Sequence, residues 1–119
     1  MERAILDQYG INYDKGLINC MGDVDFFQTL LSMFLEDDCF ARARKAYAAG
    51  DYKELFSCVH ELKGVSGNAA LTGLYEAIVP LVEQLRKGDV DALRVTSLFE
   101  AADAAYRRTC KGIELALAS

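Results

Sequence analysis

Apolar residues recur along this chain at intervals of three and four, the spacing that lines one side of a helix. Two short helices are expected, over residues 2–9 and from Asp14 to Cys20. Four long ones follow. The first runs from about Asp23 to Ala48 with Phe27, Leu30, Leu31, Phe34 and Ala41 inward. The second runs from Asp51 to Ala70 with Leu55, Cys58, Val59, Leu62, Val65 and Ala69 inward. The third runs from Thr72 to Lys87 with Leu74, Ile78, Leu81 and Leu85 inward, and Pro80 inside it predicts a bend. The last runs from Val90 to Leu117 through Val95, Phe99, Ala102, Tyr106, Ile113 and Leu117. Gly22-Asp23, Gly50-Asp51 and Gly88-Asp89 read as a helix end followed by the next N-cap. Long amphipathic helices with short connections predict an all-α fold. The expected architecture is an antiparallel up-down-up-down four-helix bundle, with the short N-terminal helices packed across one end. An irregular helical fold with the same elements is the alternative. One domain spanning residues 1–119 suits the length.

Composition narrows the function. Hydrophobic residues make up 52% of the chain, enough to fill one core, so a disordered tail is excluded. With 13 basic and 18 acidic residues the formal net charge is −5, and no basic cluster suits a nucleic-acid backbone. Arg42-Ala43-Arg44-Lys45 reads as a solvated helix face. The N-terminus lacks a basic-then-apolar leader pattern, and no apolar run reaches membrane-spanning length. A cytoplasmic protein without membrane contact is expected. Cys20, Cys39, Cys58 and Cys110 lie far apart, with one histidine in the chain to join them. They read as buried reduced thiols, not as a metal site or a disulfide framework.

One segment breaks the helical economy: His60-Glu61-Leu62-Lys63-Gly64-Val65-Ser66-Gly67. At about 100° per residue, Phe56, His60, Lys63, Gly64 and Gly67 gather on a stripe away from the core side. The lone histidine should therefore face solvent. Each glycine on that stripe costs roughly 1 kcal/mol relative to Ala in a helix interior. Two such losses beside one histidine point to a demand for room, so that another protein can approach the ring. Phe56, one turn earlier, would add an aromatic docking contact. The competing readings are an ordinary surface histidine, glycines that allow helices to pack closely, and a Phe56 turned into the core.

The chemistry open to this stripe is phosphoryl transfer. A neutral imidazole nitrogen is a nucleophile that can attack a phosphoryl group. Its phosphorylated product is reactive enough to pass the group on. Lys63, three residues along the same face, can meet the phosphoryl oxygens. Transfer of this kind asks for positioning and electrostatics, and a partner can supply the remainder. The chain has no GxxxxGK[ST] loop and no glycine-rich nucleotide loop, so kinase activity of its own is not expected. Ser66 falls toward the core stripe, its hydroxyl free to bond back to the helix.

Gly50-Asp51, Leu55, Val59-His60-Glu61-Leu62-Lys63-Gly64, Ser66, Asn68, Leu71 and Leu74 together resemble the histidine phosphotransfer (HPt) family, whose pattern is roughly G-D, a spacer, then A-H-x-L-K-G-x-S. Phe26 to Phe34 and the stretch through Leu81, Leu85, Arg86, Gly88 and Asp89 are similar to the family as well, so the resemblance extends from about Ile11 onward. It implies a four-helix bundle, with His60 as phosphoacceptor, Lys63 contacting the phosphoryl group and Gly64 giving access. The implied partners are receiver domains of response regulators or hybrid sensor kinases, which carry the phosphorylated Asp and the Mg²⁺. The chain itself needs no cofactor or metal on this reading, and one outward histidine per bundle works as a monomer. Departures from the pattern are Val59 for Ala, Ala70 where Gly is frequent, and Pro80. A helical interaction module that binds a kinase or receiver without carrying phosphate is the alternative function. A metal- or cofactor-binding bundle would need several inward His or Glu residues, which one histidine does not provide.

Overall fold

The computed structural model describes residues 1–119 and is entirely helical, without strands. The elements are α1 (Arg3–Gln8), α2 (Tyr13–Asn19), α3 (Val24–Glu36), α4 (Cys39–Ala48), α5 (Tyr52–Asn68), α6 (Thr72–Arg86) and α7 (Ala92–Ala118). No helix is long and apolar enough to cross a membrane.

The expected first long helix is two helices. Asp37 is extended (φ −69°, ψ 132°) and its carboxylate accepts the Cys39 backbone N–H at 2.7 Å, which ends α3 and starts α4. The break resets the helical phase. Ala41, expected inward, is exposed, while Cys39, Phe40, Ala43 and Ala46 are buried.

Side-chain caps start four helices. Asn12 accepts from Lys15 N–H, Asp23 from Phe26, Asp51 from Glu54, and Asp91 from Leu93 and Arg94. The expected boundary at Gly88-Asp89 therefore lies two residues later, at Asp91. Val90 and Val95 both join the core there, which favours the later start in the manner of a hydrophobic staple. At α5 the chain ends in a Schellman turn: Leu71 N–H bonds to Ser66 C=O at 2.8 Å, and Ala70 takes φ +56°. The same turn closes α4 with Gly50 at φ +69°, where glycine adopts the left-handed backbone without strain. Helix α6 runs unbroken through Pro80, which sits on its exposed side.

Core residues come from every helix except α2, with Phe27, Phe40, Leu55, Leu62, Leu74, Ile78, Leu81 and Ile113 almost wholly removed from water. Successive helices α4, α5, α6 and α7 pack on one another, and α3 packs on α7. Between α4 and α7 the rings of Phe40 and Tyr106 stack at 4.4 Å and those of Tyr47 and Phe99 at 4.1 Å. Arg44 lies over this ladder and pairs with Asp103 at 2.6 Å. Helix α1 lies against the C-terminal part of α7, where Gly112 leaves space for Tyr9 and Arg108 donates to Gln8 C=O. The following turn ties down the α5–α6 connection, since Asn12 N–H bonds to Ala70 C=O and Gly73 N–H to Gly10 C=O. Three cysteines are buried, and Cys110 is half-buried.

Candidate functional site

Helix α5 presents the site. Leu55, Cys58, Val59, Leu62 and Ser66 bury one side of it, and that anchoring leaves His60 exposed near its middle. The Ser66 hydroxyl donates back to Lys63 C=O at 3.2 Å, so this buried polar group needs no other partner.

Phe56 is half-buried against the core edge, and its ring stacks on the His60 ring with centroids 5.6 Å apart and planes at 22°. Lys63 is half-buried and belongs to none of the ion pairs of the molecule. Gly64 is exposed, and a β-carbon there would meet nothing within 4 Å. Gly67 differs. It is half-buried, and its β-carbon would rest 3.5 Å from the Tyr75 ring of α6. Open backbone is thus found one turn after His60 at Gly64, whereas a β-carbon at Gly67 would make ordinary contact with helix α6.

Two features of the surroundings escaped the sequence. Arg86, at the end of α6, places its guanidinium 5.5 Å from the Phe56 ring centroid. On the other flank, the Glu61 carboxylate accepts from the Cys39 thiol at 2.9 Å and from Arg42 at 3.1 Å. The Cys39 hydrogen bond, helped by Arg42, holds that carboxyl below the usual range. No spacing rule predicts either contact, because each joins two helices. A groove of 410 Å³ borders α5 on the α3 side, lined by Leu30, Met33, Phe34, Val65 and Ala69 among others.

Residues 29–105, more than half of the chain, match the sequence model of the Hpt domain family. The chain belongs to the Hpt domain family. Hpt domains serve histidine phosphotransfer in two-component phosphorelays, where they interact with receiver domains and kinases. The matched span contains α4, α5 and α6 complete, and with them His60, Lys63 and Gly64. No curated protein and no solved structure matches the chain significantly.

Proposed function

We propose that this Hpt domain is a phosphorelay carrier: His60 accepts a phosphoryl group and passes it to or from an aspartate of a response-regulator receiver domain. The observation that carries this reading is the lone, exposed imidazole in mid-helix with open backbone one turn beyond it. The lone pair of a neutral ring nitrogen attacks phosphorus of the aspartyl phosphate. The N–P bond forms as the P–O bond to the aspartate breaks, and the carboxylate leaves with the electron pair. The proton on the other ring nitrogen stays in place. Reversal of the step delivers the group to the next aspartate. Lys63 offsets phosphoryl charge, and the partner supplies Mg²⁺.

On this reading Phe56 and Gly64 meet the partner, with Gly67 at the far edge beside Tyr75, and the apolar groove along α3 widens the docking face. The whole chain acts as one domain and as a monomer in the cytoplasm. Its architecture is an antiparallel up-down-up-down four-helix bundle in which α3 and α4 together make the first member. Packing of consecutive helices through short connections supports that topology.

Incubation with a phosphorylated receiver domain tests the reading. The protein should gain label that is acid-labile and alkali-stable, as a phosphoramidate is. Stable binding of the receiver without any label would favour the pure interaction module instead.

A further inference from the structure

An exposed histidine on a helix has little to hold its ring in one orientation. His60 has such a hold: its ring lies on Phe56 at 5.6 Å and 22°. Phe56 is itself fixed from two directions. Its inner edge packs against the core, and Arg86 sits over its ring at 5.5 Å. Arg86 also lies 3.7 Å from the Glu83 carboxylate, three residues earlier on α6. The series Arg86, Phe56, His60 thus runs from the end of α6 to the ring that faces solvent.

We propose that Phe56, held by Arg86, is a positioning residue for His60, restricting the imidazole to the orientation in which its nitrogen meets an incoming phosphoryl group. This inference rests on His60 being the phosphoacceptor. Preorganisation is the physical basis of this role. A nucleophile already aimed loses less orientational freedom on reaching the transition state, and that gain appears in the maximal transfer rate. A residue that only touches the partner would instead change the concentration at which transfer saturates.

The sole histidine of the chain gives a clean readout, since its imidazole signals in ¹H–¹³C spectra need no assignment. In the unmodified protein the ring current of Phe56 should displace them. Phe56→Leu should return them toward free-histidine positions, Phe56→Tyr should preserve the displacement, and Arg86→Met should reduce it. Arg86→Met spares the core, so it remains informative if Phe56→Leu unfolds. Single-turnover transfer from a phosphorylated receiver should then show a maximal rate lowered about three- to tenfold in Phe56→Leu. The half-saturating concentration should change by a smaller factor than the rate, because leucine keeps an apolar contact with the partner, and Phe56→Tyr should restore the rate. Unmoved imidazole signals in folded Phe56→Leu or Arg86→Met would overturn the proposal. So would a loss seen only in half-saturation. If the unmodified protein gained no label while its imidazole signals were displaced, the phosphoacceptor assignment would have failed, and the positioning role of the stack would fall with it.

Discussion

Tyr75 lies against Gly67, 3.5 Å from where a β-carbon would stand, whereas nothing approaches the corresponding point on Gly64. The two glycines of the histidine stripe therefore make different predictions. Gly64→Ala should raise stability by about 1 kcal/mol, because an exposed helical glycine is replaced without a clash. Gly64→Gln should slow phosphoryl transfer at least about tenfold by crowding the approach to His60. Gly67→Ala should also stabilise the fold, and its transfer rate should stay within about twofold of the unmodified protein. Urea titration and transfer kinetics on the same samples check all three; a normal rate in Gly64→Gln would remove the access role.

Lys63 makes no ion pair, so its removal should leave the helices intact. Lys63→Ala should slow transfer or shorten the phosphoryl lifetime by about tenfold, the worth of one charge-assisted hydrogen bond. Chase experiments with labelled protein measure the lifetime. Unchanged kinetics would take Lys63 out of the mechanism.

Packing around the N-terminal helices makes a stability prediction. A β-carbon at Gly16 would run into the Phe27 ring, and one at Gly112 into Tyr9. Gly16→Ala and Gly112→Ala should each cost about 1–3 kcal/mol despite their better helix propensity. Thermal melting reads the loss. Gly112→Ala should also free α1 from α7, visible as faster amide exchange in residues 3–8.

Burial pushes the thiols of Cys20, Cys39, Cys58 and Cys110 above their ordinary range, with a hydrogen bond to Glu61 adding to the effect at Cys39. Burial also raises the Tyr106 hydroxyl, to about 12. Where the unfolded chain has lost these protons and the folded chain has kept them, stability falls as pH rises. The contribution is whole below the unfolded thiol value of about 8.5 and declines above it. Urea midpoints should therefore be lower at pH 10.5 than at pH 7.5. In Cys39→Ala part of that decline should vanish. A flat profile over this range would contradict the buried placement of the thiols.

Much of the fold was legible because α5, α6 and α7 bury regular stripes: Leu55 to Ala69, Leu74 to Leu85 and Val95 to Ile113 behave as their spacing requires. The split between α3 and α4 was not. Neither Gly nor Pro marks it, and the acidic pair Asp37-Asp38 looks like ordinary polar surface although Asp37 caps a turn. The phase shift it causes explains the misplacement of Ala41. Exposure of His60 followed from helix periodicity alone. The contacts of Arg86 with Phe56 and of Cys39 with Glu61 depend on which helices are neighbours, and a pattern within one helix carries no such information.

The most direct test of the account is to locate the phosphoryl group. After reaction with a phosphorylated receiver domain, the protein is digested at neutral pH and analysed by mass spectrometry. The account predicts a single added phosphoryl group on the peptide containing His60, and none on the His60→Gln variant, which should remain folded. A phosphoryl group on any other residue, or equal labelling of His60→Gln, would contradict it.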